Sequence, residues 1–95
     1  MSEKIKEIDW IQLPHRIYGR DDDGRVICEI TFPETAPGVC TIESTFVNED
    51  YRGKGLAGKL VAEAIELIKS RGEKVEAECP YAKTWIKDKG FGHNE

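Results

Sequence analysis

Between a run rich in β-branched and aromatic residues and a run with helical periodicity stands Arg52-Gly53-Lys54-Gly55-Leu56-Ala57-Gly58-Lys59. Few folds accept so much glycine at such a junction, and the placement is itself a chemical statement. Successive backbone N–H groups of a glycine-bearing turn, together with the unpaired N–H groups of a helix's first turn, attract a phosphate. Glycine lets the backbone approach that anion closely, and Arg52 or Lys54 adds charge from the side. A turn that merely joins a strand to a helix needs one glycine at most, so phosphate binding is the reading the loop favours.

The flanking elements follow from pattern. Arg16 to Gly19 and Arg25 to Phe32 are β-type runs around Asp22-Asp23-Gly24, an Asp-Gly hairpin signal. The acidic residues do not make a calcium loop, because aligning Asp21, Asp23 and Gly24 to its third, fifth and sixth positions puts Gly19 first and Ile30 last, where carboxylates are needed. Pro33, Pro37 and Gly38 predict a second turn, and Val39 to Val47 a third strand with Glu43 as its break. Leu56, Ala57, Leu60, Val61, Ala64, Ile65 and Ile68 mark one face of a helix that Gly72 closes. Lys74 to Cys79 predicts a short strand, and Pro80 opens a second helix through Ala82, Trp85 and Ile86 that Gly90 stops. Residues 1–11 show no clear period.

Antiparallel strands feeding one strand–helix–strand unit, whose crossover should be right-handed and parallel, predict an α+β (mixed α/β) fold. With 95 residues the chain suits a single compact domain over 1–95. Its 14 basic and 18 acidic residues leave a net charge of −4, which argues against a nucleic acid or an anionic membrane surface as partner. No apolar run approaches the ~20 residues of a membrane span, and Met1-Ser2-Glu3-Lys4 leads into no signal-peptide core, so a cytoplasmic address is expected. Cys28, Cys40 and Cys79 lack C-x-x-C spacing and are expected as reduced thiols, while His15 and His93 stand far apart, so no metal site is expected.

Three phosphate-binding patterns compete for the loop. Gly53, Gly55 and Gly58 match G-x-G-x-x-G, with Glu76 or Glu78 where a ribose-binding acid would fall, but a dinucleotide fold needs more strand–helix units than follow here. Gly53 to Lys59 spells G-x-x-x-x-G-K, yet Leu60 replaces the hydroxyl residue that holds Mg²⁺. The third explains most. Arg52-x-x-Gly55-x-Ala57, after a strand and preceded by Val47 and Tyr51, resembles the R/Q-x-x-G-x-G/A signature of the GNAT superfamily of acetyl-CoA-dependent N-acyltransferases. Cys79-Pro80-Tyr81-Ala82-Lys83-Thr84-Trp85-Ile86, running on to Gly90-Phe91, is similar to that family's closing strand and helix, so the likeness covers 39–91. The shortness and the Cys79 segment resemble the family's small single-domain branch of predicted acetyltransferases.

The resemblance implies a GNAT-like mixed sheet and acetyl-CoA as cosubstrate. It implies that backbone N–H groups of Arg52, Gly53, Lys54, Gly55, Leu56 and Ala57 hold the pyrophosphate, with Gly58 allowing close approach. The pantetheine arm would lie along Phe46 and Val47, in a splay between two parallel strands, and put the thioester between Val47 and Cys79. Cys79, at a strand end and a helix start, is the leading catalytic candidate. It would protonate the departing thiolate, orient the acetyl group, or carry it as a covalent nucleophile. Tyr81 is a second candidate, because the family's acid position, four residues before Gly90, holds Ile86. Ser44, in a Ser44-Thr45 pair where short relatives have His-Thr, stands at the position of a base. Full-size relatives place two helices between their first strands, whereas Gly19 to Arg25 leaves room for a turn only. The implied acceptor is therefore a primary amine in an open cleft, on a protein, a peptide end or a polyamine, with a homodimer able to supply the missing wall. The alternative is an acyl-CoA-binding module with little or no catalysis.

Overall fold

The computed structural model describes residues 8–89. Asp21 builds the first hairpin turn: its Oδ1 accepts N–H bonds from Asp23 and Arg25, both at 2.9 Å, and Gly24 takes the left-handed φ of +84° that only glycine adopts without penalty. The strands it joins are β2 (Arg16–Arg20) and β3 (Val26–Thr31). Before them lies β1 (Asp9–Leu13), antiparallel to β2. This strand starts within the stretch that showed no period. As an outer strand its residues are at most half-buried, so the alternation that reveals an inner strand is missing.

The turn expected at Pro33–Gly38 is tighter than its prolines suggest. Three of its residues form β4 (Glu34–Ala36), and only Pro37 and Gly38 reverse the chain, Gly38 at φ +74°. β4 pairs with β5 (Val39–Ile42), and β3 with β6 (Ser44–Val47), so 26–47 is one long bent hairpin. Pro33 has no N–H to offer, but its carbonyl still accepts Thr41 N at 3.0 Å.

The single strand expected from Val39 to Val47 is therefore two, parting at Glu43. Between Thr31↔Ser44 and Glu34↔Cys40 the register slips by one residue, the mark of a bulge. Glu43 stays tied to β3 by its N–H on Thr31 O at 3.0 Å. The consequence is a change of partner along one chain segment. The sheet orders are β1-β2-β3-β6 and β4-β5-β7, where β7 (Lys74–Ala77) runs parallel to β5 from Val39↔Lys74 to Ile42↔Ala77. The strand expected to reach Cys79 ends at Ala77, since Glu78 N and Cys79 N both converge on Ile42 O, at 2.8 and 3.2 Å. Beyond Ile42 nothing of β7 accompanies β6.

Helix α1 (Leu56–Ser70) buries Leu60, Val61, Ala64, Ile65 and Ile68 on a core of Ile17, Ile30 and Phe32 from β2, β3 and the bend after it. Burying such a side chain contributes roughly 1.5–3 kcal/mol, so this stripe fixes the helix on one face of the sheet. Gly72, at φ +75°, ends it: Gly72 N bonds Lys69 O at 2.9 Å and Glu73 N bonds Ile68 O at 3.2 Å. Helix α2 (Pro80–Lys89) follows β7, with Lys83 N on Cys79 O at 2.9 Å. Gly90 and Phe91, its expected end, and His93 lie outside the described residues. Among the described residues no helix is long and apolar enough to cross a membrane.

Candidate active site

The glycine loop is shaped from both sides. Upstream, a 3₁₀ turn over Glu49–Tyr51 is capped by Asn48, whose Oδ1 accepts Asp50 N at 2.8 Å. Arg52 serves the loop's own shape, its N–H donating to Glu49 O at 3.4 Å and its Nε to Val47 O at 3.1 Å. Gly53 and Gly55 then adopt φ of +81° and +79°. Gly55 is the N-cap of α1 and offers no side-chain cap, so the first intrahelical bond is Lys59 N to Gly55 O at 3.1 Å. Leu56, Ala57 and Gly58 thus begin the helix with N–H groups that have no intrahelical acceptor, at the positive end of its dipole.

Gly58 has a further use that its place in the motif hides. A Cβ there would stand 3.2 Å from Trp85 Nε1 and 3.5 Å from Tyr81 Oη. Its bareness lets α2 close over the first turn of α1. Between them runs a groove of about 240 Å³, lined by Val47, Tyr51, Gly55, Leu56, Ala57 and Tyr81 among others. Tyr81 is 44% exposed and forms one wall. A larger hollow of about 420 Å³, bordered by Gln12, Glu63 and Glu66, holds none of the residues singled out from sequence.

Side-chain alternation along β6 sorts the remaining candidates. Thr45 and Val47 face the groove side, whereas Ser44 and the 44%-exposed Phe46 face the opposite side of the strand. Ser44 Oγ lies 3.2 Å from Thr31 Oγ1 there. Tyr81 thus lines the groove, Cys79 lies against Thr45 on that side of β6, and Ser44 does not join them.

Cys79 sits where β6 and β7 part, 7% exposed, with Sγ 3.5 Å from Thr45 Oγ1. Burial pushes its thiol up, but its hydrogen bond with the Thr45 hydroxyl and those from the N–H groups of Ala82, Tyr81 and Thr45 outweigh burial and hold it below the ordinary thiol value. Cys28 and Cys40 show the contrast, since burial raises both, and Glu73 at 3.3 Å raises Cys40 further. Thr45 is the residue that sequence reasoning left without a role. Its signal was available in its alternation with Val47.

The sign of these shifts gives an expected result. Thiolate appears on Cys79 at lower pH than on a free thiol, so its alkylation, followed by mass spectrometry, should rise at lower pH than that of Cys28 or Cys40. Thr45→Val removes the largest lowering contact and should move the profile to higher pH. Equal profiles for the three cysteines, or no response to Thr45→Val, would remove the hydrogen bonds as the cause.

Residues 16–91 match a family model described as GCN5-related N-acetyl-transferase. Comparison with curated proteins finds no match. Among solved structures the chain is similar to a GCN5-like protein from Staphylococcus aureus solved by NMR, at TM-score 0.71 and 24% identity, over 86% of this chain and 80% of that one. It is similar to a GCN5-related N-acetyltransferase from Sphaerobacter thermophilus at TM-score 0.60 and 30% identity, over 65% of this chain. A GNAT family N-acetyltransferase from Escherichia coli, in complex with CoA, aligns at TM-score 0.56 and 28% identity over 61%. The chain spans 20% and 35% of the length of the last two.

Proposed function

This chain belongs to the GCN5-related N-acetyltransferase family, and on that premise we propose that it moves the acetyl group of acetyl-CoA to a primary amine by way of Cys79. The observation that carries this reading is the thiol itself, seated where β6 and β7 part, against Thr45, two residues from the groove-lining Val47, and held below its ordinary pKa by Thr45 and the start of α2. A lowered pKa puts more of the thiol in its thiolate form at any given pH, and the thiolate is the species that attacks. That favours the covalent role over the acid role.

The site fits the cosubstrate on the grounds of its donors and shape. The N–H groups of Leu56, Ala57 and Gly58 suit a pyrophosphate. The edge of β6 at Phe46 and Val47, unpaired beyond Ile42, suits an amide-bearing arm that pairs like a strand, with Tyr81 beside it. Cys79 thiolate would attack the thioester carbonyl carbon. The carbon–sulfur bond to CoA breaks, its electron pair leaves on the CoA sulfur, and the acetyl group rests on Cys79. A neutral amine then attacks, the carbon–nitrogen bond forms, Cys79 departs as thiolate, and the amine's extra proton goes to solvent. Only the tight turn at Asp21–Gly24 stands where full-size relatives place two helices, and the open approach this leaves suits an amine on a protein, a peptide or a polyamine.

Thermal unfolding with acetyl-CoA, CoA, NAD and ATP in parallel is the test, since a ligand at 100 Kd adds about 2.7 kcal/mol. Stabilisation by acetyl-CoA and CoA alone, with acetyl transfer to members of an amine panel, is the expected result; stabilisation by NAD or ATP instead would overturn it. Ile86, at the family's acid position, favours a second reading, an acyl-CoA-binding module. Tight acetyl-CoA binding with no transfer to any amine would establish that one.

A further inference from the structure

Among the described residues β7 is the outermost strand of its sheet, in the order β4-β5-β7. Lys74 N donates to Gly38 O and Glu78 N to Ile42 O, both at 2.8 Å. In a parallel pair each residue turns its N–H and C=O to the same side, so Lys74, Glu76 and Glu78 face β5, and Val75 and Ala77 present their main-chain groups to the bare edge. An open edge of this kind is a template for another strand unless something blocks it. β7 carries no proline. Its side chains alternate between exposed charges, Lys74 and Glu76, and half-buried apolar groups, Val75 and Ala77, that pack against the core.

We propose that this edge pairs antiparallel with β7 of a second copy of the chain, about a dyad through Val75. The register follows from two conditions. First, outward-facing residues must meet outward-facing residues, so the pairing moves only in steps of two. Second, the charges on the exposed face must not oppose their own kind. With the dyad through Val75, Lys74 stands across from Glu76 of the second copy, twice by symmetry, in the close non-hydrogen-bonded positions where cross-strand pairs interact most. One step in one direction sets Lys74 across from Lys74, one step in the other sets Glu76 across from Glu76 at the dyad while Lys74 meets Glu78 beyond the strand's end at Ala77, and a further step sets Glu76 across from Glu78. Each of these like-charge pairs is destabilising. Only the Val75 register satisfies both conditions.

The pairing also joins the two cores, because Val75 meets Val75 on the side where each packs under α1. It is isologous and closes at two copies. It sends the Cys79 ends of the two β7 strands in opposite directions, so neither groove is covered by the partner. The ladder is short, since Glu73 N is engaged by Ile68 O at 3.2 Å, and the dimer is accordingly expected to be reversible.

Sedimentation velocity on the full chain over a concentration series tests this, with circular dichroism checking that each variant is folded. The wild type should show a monomer–dimer equilibrium. Lys74→Glu sets two carboxylates face to face at both symmetry-related positions, Glu76→Lys sets two ammonium groups face to face there, and either should weaken the dimer about tenfold or more. Mixing the two single variants restores opposite charge at every position, so heterodimers should form from two weakly associating chains, and the double variant Lys74→Glu/Glu76→Lys should dimerise like the wild type. A wild type that stays monomeric throughout would overturn the proposal. So would a dimer indifferent to these charges, or open-ended assemblies, which head-to-tail pairing of β7 with the outer edge of β1 would produce.

Discussion

Cys79→Ala should reduce acetyl transfer at least ~10²-fold while leaving acetyl-CoA affinity nearly unchanged, because the residue is assigned to the chemical step and not to binding. The α1 N-terminus and the β6 edge would make the pyrophosphate and pantetheine contacts, and neither involves the Cys79 side chain. Cys79→Ser sharpens the result. A serine hydroxyl at this position can still hydrogen-bond Thr45, so it should rescue activity if the thiol merely orients the acetyl group. It does not ionise near neutral pH, so it should not rescue a nucleophile. Incubation with acetyl-CoA in the absence of amine should leave an acetyl group on the wild type that hydroxylamine removes, and none on either variant. Unchanged turnover in Cys79→Ala would exclude the thiol from the mechanism. Full rescue by serine would keep Cys79 in the site as a positioning residue and discard the covalent step.

What could be read from the sequence depended on whether a residue's role was local. The hairpin turn at Asp21–Gly24, the helical stripe from Leu56 to Ile68 and the stop at Gly72 each follow from short-range pattern, and each stands where it was expected. The parting of β5 from β6 did not, because Glu43 in a β-type run signals only a break in composition. That one segment changes partners there depends on β7, more than thirty residues away. The same long-range event brings Thr45 to Cys79, so the alternation along β6 could show which side Thr45 takes but not that the thiol is its partner there. Gly58 shows the opposite case. The motif marks it as a residue for close approach to an anion, whereas the close approach present in the structure is that of Trp85 and Tyr81. A sequence motif records that a side chain must be absent, and says nothing about what occupies the space.

Gly55→Val should weaken acetyl-CoA binding about 100-fold, the equivalent of losing one or two hydrogen bonds to a charged group at ~1.5–3 kcal/mol each. Gly55 holds φ at +79° with nothing within 4 Å of where a Cβ would stand, so the substitution meets no clash and acts through the backbone alone. A β-branched residue pays roughly 1–2 kcal/mol in the left-handed region, and relief comes from moving the helix start, which redirects the N–H groups of Leu56, Ala57 and Gly58. Stability alone cannot separate this effect from a general loosening of α1. Gly72 provides the control, for it lies just beyond the other end of the same helix, at φ +75°, with equally open surroundings. Gly72→Val should lower the unfolding free energy by a similar amount and leave acetyl-CoA affinity intact, as measured by calorimetric titration. If both variants lose affinity equally, the loop is only a structural part of a helix that must be stable to bind. If only Gly55→Val loses it, the left-handed turn at the head of α1 is what presents the N–H groups to the anion.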